Sequence, residues 1–258
     1  MRFRYLAARL ALAAFALAAL MAGAAVGGVR LGLMPYQSGL GLMVPAVVLG
    51  LIALFCALAW LSSALRNNEG TGRRLGMTAL IGSLLLLWPP LHTQYEGFTA
   101  PPIHDATTNP EDPPQFVALA KLRRPGMNPA AFDGTRRISF WGKTGTVAYI
   151  LHEFYPVLTK PTRAFIAPHK AFWRNFETAK QMGWTIVAYD EKQGRIEATA
   201  RSAWFGQISD IVIRIEPAGS EGALLDLRAQ SETGDKDFGN NLALLKAYFR
   251  ELKNLFPS

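Results

Sequence analysis

Apolar residues follow two regimes along this chain: three long uninterrupted runs come first, and short alternating or helically spaced ones follow. Residues 10–29, 40–65 and 75–91 carry no charged side chain. A helix rises about 1.5 Å per residue and the hydrocarbon core of a bilayer is about 30 Å thick, so the first two runs are long enough to cross it. The third is at the lower edge, which predicts a helix near the membrane normal or a locally thinned bilayer. Trp88-Pro89-Pro90 predicts its end, because proline lacks the amide that the helix needs. Trp60, near the end of the second run, suits the interfacial belt.

From residue 168 the spacing changes. Pro168 suits a first helical position, Phe172, Phe176, Ala179 and Met182 recur every three or four residues, and Gly183 can take the left-handed stop. One amphipathic helix over 168–182 follows. Four alternating runs at 184–190, 195–202, 210–216 and 224–231, parted by connections containing Gly194, Gly206 and Gly219/Gly222, predict an antiparallel meander. Leu242, Leu245, Phe249, Leu252 and Phe256 predict a closing helix over 241–256. Residues 147–155 read equally as a strand or as a short helix capped by Thr146. The expected class is α+β: N-terminal transmembrane helices, then an antiparallel four-stranded meander with helices packed on one face.

Period-two alternation also assigns the faces. Ile196, Ala198 and Ala200, Ile211, Ile213 and Ile215, and Leu225, Leu227 and Ala229 point to the core. Glu197, Thr199, Arg201, Asp210, Arg214, Glu216, Asp226, Arg228 and Gln230 share the other face. Cross-strand ion pairs on a wet surface are one reading of that set. The other is a concave polar face that holds an anionic or zwitterionic ligand through Arg201, Arg214 and Arg228.

Composition narrows the picture. Half of the 258 residues are hydrophobic and 18% are charged, which excludes a disordered tail. A net charge of +8 usually suggests nucleic acid, but seven bases stand against one acid in residues 1–91, and 20 against 18 in the rest. The surplus flanks the apolar runs, where the bias of membrane insertion puts it. Bases are frequent before the first run (Arg2, Arg4, Arg9), sparse after it (Arg30) and frequent after the second (Arg66, Arg73, Arg74, against Glu69). This orients the N-terminus inside and everything after residue 91 outside, which in a bacterial inner membrane is the periplasm. Residues 1–24, with Ala22-Gly23-Ala24, also fit a cleaved secretory signal, and the topology of the remainder is the same either way. The small residues Ala22, Gly23, Ala24, Ala25, Gly27 and Gly28 permit close helix packing. No acid or histidine interrupts a run, so the spans read as a plain anchor. The organisation expected is a membrane domain over 1–91, an extended Pro-rich linker over 92–114 and a periplasmic α+β domain over 115–258.

The stretch LRAQSETGDKDFGNN at 227–241 resembles the closing motif of the domain-of-unknown-function family numbered 1499, a pattern running roughly R-S-x-S-R-x-G-x-x-D-x-G-x-N ahead of a final helix. PPIHDATTNPEDPPQF at 101–116 resembles the segment that opens the domain in membrane-anchored bacterial members, and Tyr155-Pro156 and Gly183-Trp184 fit as well. The resemblance covers about residues 100–255 and implies a bacterial membrane-associated protein of unassigned biochemistry. Position by position it marks Asp210, Arg228, Ser231, Gly234, Asp237, Gly239 and Asn241. The chain departs from the pattern at Ala229, where the family usually has Ser, at Glu232, where it has Arg, at Ser209, where an Asp pair is expected, and at Asn240.

The candidate ligand-binding set is Arg201, Asp210, Arg214, Arg228, Asp237 and Asn241. Asp237 caps the last helix, with Gly234 and Gly239 supplying positive φ, or alternatively the N-terminus of that helix and Arg228 jointly hold an anion such as a carboxylate or phosphate. His92, His104, His152 and His169 lack metal-ligand spacing, and no HExxH, CxxC, G-x-S-x-G, Walker or dinucleotide motif occurs. His104-Asp105 lies in the connector, a poor place for a water-excluded active site. The one cysteine, Cys56, lies in the second run, so the exported domain has no disulfide or thiol chemistry. No cofactor, metal or nucleic-acid partner is expected. The partners expected are the lipid bilayer and an envelope protein or anionic small molecule, bound in an accessory role. The alternative is a hydrolase or isomerase acting on a lipid or cell-wall fragment, with Asp210, Asp237 and Arg228 in its site.

Overall fold

Uncharged runs of this length form helices because only a helix satisfies every backbone amide within its own segment. The computed structural model describes residues 2–67, 72–219 and 221–255, without the side chains of residues 2–4 and 67. Glu69 and Phe256, and the side chains of Arg2 and Arg4, therefore lie outside the described residues. Among the described residues three helices are long and apolar enough to cross a membrane: α1 (Arg2–Arg30), α2 (Tyr36–Asn67) and α3 (Arg73–Thr99). Small residues set their spacing. Ala11, Ala57 and Ala79 are buried together, and Gly76 lies where a Cβ would meet the Trp60 ring at 2.3 Å. Of the small residues of α1, Ala25 is buried beside Met43 and Ala46, while Gly23 and Gly27 face open space.

Pro89 does not end α3, contrary to expectation. The helix runs through Pro89 and Pro90 to Thr99. Proline's fixed φ is itself helical, so the pair removes two amide donors without forcing the chain out of the helix. Thr93 Oγ1 donates to the Pro89 carbonyl at 3.0 Å just beyond.

The chain divides into two units, Met1–Tyr95 with Trp204–Gly206, and Glu96–Ala203 with Gln207–Ser258. In the second unit come β1 (Asp105–Thr107), α4 (Ala118–Lys121), β2 (Arg137–Phe140), β3 (Lys143–Thr146), α5 (Val147–Phe154), β4 (Thr162–Ala164) and α6 (Pro168–Gln181). Then follow β5 (Thr185–Asp190), β6 (Arg195–Arg201), β7 (Ile208–Pro217), β8 (Ala223–Ser231) and α7 (Asn240–Leu255). The class is α+β, as the patterning predicts, and β5 to β8 are the antiparallel meander. The sheet is wider than four strands: its order is β1-β8-β7-β6-β5, and β4 also pairs with β8, while β2 and β3 form a separate hairpin. Residues 147–155 resolve as helix, with Thr146 Oγ1 accepting from the Tyr149 amide at 3.1 Å. Gly183 closes α6 at a φ of +73°.

The segment read as a linker is structured. His92–Thr99 belong to α3, and Asp105–Thr107 are an edge strand paired with Arg228–Gln230. Proline and threonine are compatible with any extended chain, and here the extension is a strand and a strap fixed to the sheet.

The apolar face is assigned as alternation predicts. Ile196, Ile211, Ile213, Leu225 and Leu227 are buried with Ile150, Leu151, Phe172, Leu242 and Leu245 from α5, α6 and α7. Trp184 stacks on Tyr248 with ring centroids 5.3 Å apart, and Tyr248 Oη donates to Asn175 Oδ1, which satisfies both polar groups inside the core.

Candidate functional site

The register of β6, β7 and β8 sets Thr199 opposite Asp210, Asp210 opposite Gln230, Val212 opposite Arg228 and Arg214 opposite Asp226, so these side chains share one face. At its centre that face is neither wet nor an open concave surface, while Arg201 and Glu216 near the strand ends are exposed. Glu197, Asp210, Asp226, Arg228 and Gln230 are all buried. They lie beneath a strap formed by residues 105–131, whose polar atoms meet those of the sheet one after another along its length.

Arg228 is the centre of this closure. Its Nε and Nη2 donate to the two oxygens of Asp105 at 3.0 and 2.7 Å, a bidentate pair. Nη1 donates to the Pro114 carbonyl at 3.2 Å and Nη2 also to that of Ala130 at 2.8 Å. The ring centroid of Phe116 stands 4.7 Å from the guanidinium carbon. Arg228 is therefore fully buried, with every nitrogen engaged within the protein. Arg214 donates to Asp226 Oδ2 at 2.6 Å and to the Asp112 carboxylate and carbonyl of the strap, each at 2.8 Å. Asp226 also accepts from Thr108 Oγ1 at 3.1 Å.

Glu197 holds the next stretch. Its carboxylate accepts the amides of Val117, Ala118 and Leu119 at 3.0, 3.0 and 2.8 Å, the free donors at the start of α4. Gln230 donates to Asp105 Oδ2 at 3.0 Å and to the Pro129 carbonyl at 2.8 Å, and accepts from Arg123. Arg123 also donates to Asp210. Asn128 ties the far end of the strap to the carbonyls of Ser231 and Gly234, at 2.9 Å each.

The structure thus links two of the expected site residues, Arg228 and Asp210, through Asp105, Gln230 and Arg123. Arg214 lies on the same face with its own partners. Arg201 is exposed at the end of β6. Asp237 and Asn241 belong to a different place, under the apolar side of the sheet at the N-terminus of α7. Asp237 accepts the amides of Gly239 and Asn241 at 2.9 Å each, which is the helix-capping role. Gly239, at a φ of +83°, makes the turn between them. Asn241 accepts from Ser209 Oγ at 2.7 Å and donates to the His104 carbonyl at 2.8 Å and to Ser231 Oγ at 3.1 Å. Ser209 and Asp210 are neighbours on β7 and point to opposite faces, so Asp210, Asp237 and Arg228 do not form one constellation.

Burial pushes the Asp210 carboxyl up to about 6, opposed by Arg123. Burial likewise raises Asp237 to about 6, against the two amides that favour its anion, and raises Glu232, against Arg123, Arg124 and Arg201. Asp210 Oδ1 and Arg123 Nε are buried with no hydrogen-bond partner among the described residues. The His104 imidazole is lowered by burial, and the adjacent Asp105 carboxylate faces Arg228 and Gln230 instead.

Arg123 and Asn128 escape a sequence-level search for site residues, while alternation places Glu197 on the polar face and Asp105 is seen only as the neighbour of His104, neither of them as a partner of the strap. Only the density of Asp, Asn, Thr and Pro over 104–114 hints that this stretch makes side-chain bonds. Most of the strap's other contacts are backbone carbonyls and amides, which leave no mark on a sequence.

The family model described as "Protein of unknown function (DUF1499)" matches residues 105–252, more than half of the chain. No curated protein matches it. The match begins at the first residue of β1 and so includes the whole strap.

Proposed function

Since the chain belongs to the DUF1499 family, whose function is unknown, we propose that it is an inner-membrane accessory protein whose periplasmic domain binds an envelope protein. The arginine surplus at the inner ends of the helices supports that orientation. Motif side chains such as Arg228 and Asn241 hold the domain together, so the reading places binding on the outer surface. The observation that carries it is an aromatic cluster at the sheet's end strand. Trp173 and Phe176 of α6 meet Tyr189 of β5 with ring centroids 6.2 and 5.0 Å apart, and Tyr189 is 56% exposed. β5 pairs only with β6 among the described residues, and Val187 projects from a bulge in it. Exposed tryptophan and tyrosine beside an edge strand are the composition of a protein-binding surface.

A photo-crosslinking residue placed at Tyr189 in the full-length protein in cells tests this. A discrete protein adduct is expected from 189, and none from Val157, which is 92% exposed elsewhere on the domain. Absence of an adduct from positions 173, 187 and 189 alike contradicts the reading.

One observation favours a second reading, the hydrolase or isomerase acting on a lipid or cell-wall fragment. The unpartnered oxygen of Asp210, on a carboxyl that burial pushes up to about 6, is the property of a proton-transfer group. In that case Asp210→Asn abolishes turnover of the fragment while the domain stays folded. If Asp210 is only a strap partner, no turnover exists to lose.

A further inference from the structure

The hairpin of β2 and β3 turns on two residues, Trp141 and Gly142, with φ of 47° and 77°. A two-residue turn with both φ positive is the geometry that favours Asn-Gly, and a bulky ring is strained there. The indole at this position is 70% exposed. Its place is fixed from one side: Nε1 donates to the Phe98 carbonyl at 3.1 Å. Phe98 stands on the last turn of α3 and is itself 76% exposed, as is most of Tyr95 three residues earlier. The outward face of the hairpin carries Arg137, Ser139 and Thr144, with Lys143 next to the turn.

The covalent geometry of α3 sets the depth of this pair. Arg74 is exposed at its inner end. At about 1.5 Å per residue, Phe98 lies about 36 Å further along the helix, beyond a hydrocarbon core of about 30 Å but inside a bilayer of about 40–45 Å with headgroups. The Phe98 carbonyl, and the indole bound to it, then sit in the outer headgroup layer. This is the level at which tryptophan is enriched, its ring among acyl chain ends and its N–H bonded to a polar group. Lys143 beside the turn is paired with Glu153, and Arg137 stands at the other end of the hairpin, so the contact argued here is that of the two rings and the indole N–H.

We propose that the β2–β3 hairpin tip and the end of α3 form a lipid-docking edge, in which Trp141 and Phe98 enter the phospholipid headgroup layer of the membrane that α3 crosses. The inference rests on the reading that α3 spans the bilayer. It goes beyond that reading by giving the domain a second, non-covalent attachment to the membrane.

The test uses the full-length protein in nanodiscs of phosphatidylethanolamine and phosphatidylglycerol, in a Cys56→Ala background. Bimane is attached at Trp141→Cys, at Leu84→Cys on the exposed side of α3, or at Val157→Cys. Quenching by a headgroup-nitroxide lipid is expected to be strong at 141 and weak at 157, aqueous iodide is expected to show the reverse order, and an acyl-chain nitroxide is expected to quench at 84. If 84 is in lipid and 141 responds to iodide as 157 does, the docking edge is overturned while the span stands. If 84 also responds to iodide, both fail. If 141 is shielded from lipid and iodide alike, protein covers the tip and the inference fails. Unlabelled protein gives a check free of the cysteine change: brominated lipid is expected to quench the wild type more than Trp141→Phe, and equal quenching overturns the proposal.

Discussion

On one face of the sheet, Ile196, Ile211, Ile213, Leu225 and Leu227 are buried under three helices; on the other, Glu197, Asp210, Asp226, Arg228 and Gln230 are buried as deeply under an irregular strap. The first closure is non-directional, because apolar area removed from water stabilises however the helices settle. The second is directional: each buried charge or amide must meet a partner at bonding distance, or its desolvation is uncompensated. The helical side tolerates small shifts, whereas the strap fits in one register. A polar sheet face is therefore not by itself evidence of a ligand site, because a chain of matched donors and acceptors closes it equally well.

The comparison predicts the sharpest loss where a buried pair is broken on one side. Arg228→Ala leaves the Asp105 carboxylate buried without its bidentate partner and is expected to cost about 3–5 kcal/mol, read from thermal unfolding of the full-length protein. Replacing both partners, as Arg228→Met with Asp105→Leu, is expected to recover part of that loss, because the unpaired charge is removed while the Pro114 and Ala130 carbonyls and the Gln230 amide each lose a partner. On the helical side, Leu227→Ala is expected to cost about 2–5 kcal/mol through the cavity it leaves. A second apolar residue placed nearby gives no comparable rescue by charge matching.

Glu197→Gln is expected to act more locally, at about 1–3 kcal/mol, since it weakens the hold on three amides of the strap. Limited proteolysis between residues 109 and 127 is the matching readout, and faster cleavage there than in the wild type is expected.

The smallest effect is the pH dependence of the two carboxyls that burial pushes up to about 6. Asp210 and Asp237 titrate near 6 in the folded protein and near about 4 when unfolded, so the folded state takes up protons first as pH falls through 6. Their burial penalty is present in full above pH 6 and is relieved towards pH 4. The contribution of these groups is therefore larger stability at pH 5 than at pH 7. His104, lowered by burial, works the other way below its ordinary value, because the unfolded chain takes up that proton first. Asp237→Asn keeps a capping oxygen but removes one titration, so its melting temperature is expected to rise less than that of the wild type between pH 7 and pH 5.

Much of this fold is legible in the residues themselves. Helix spacing gives α6 and α7, alternation gives β5 to β8 and assigns their apolar face residue by residue, and uncharged length gives the three long helices. What escapes has a physical reason in each case. β1 and β4 have three residues each, too few for a period to show. Pro89-Pro90 removes donors without dictating where the helix ends. Residues 92–114 carry the composition of a linker because from Asp105 onward they form an extended chain, and the bonds that fix that stretch and the rest of the strap arise only when Arg228, Glu197 and Gln230 are brought beneath them. Of the expected site, the helix cap at Asp237 was open to a sequence argument because a cap is local. The burial of Arg228 was not, because Asp105, Pro114 and Ala130 lie about a hundred residues away in the chain.

Amide hydrogen exchange of the full-length protein over residues 105–131 tests the closed polar face most directly. The account predicts that the amides of Val117, Ala118, Leu119 and Asn128, bonded to Glu197 and to the Glu232 carbonyl, exchange as slowly as those of β7 and that Glu197→Gln frees the first three. Exchange of this stretch in the wild type at the rate of an exposed loop would contradict it, and would return the polar face of the sheet to solvent and to the ligands it was first expected to bind.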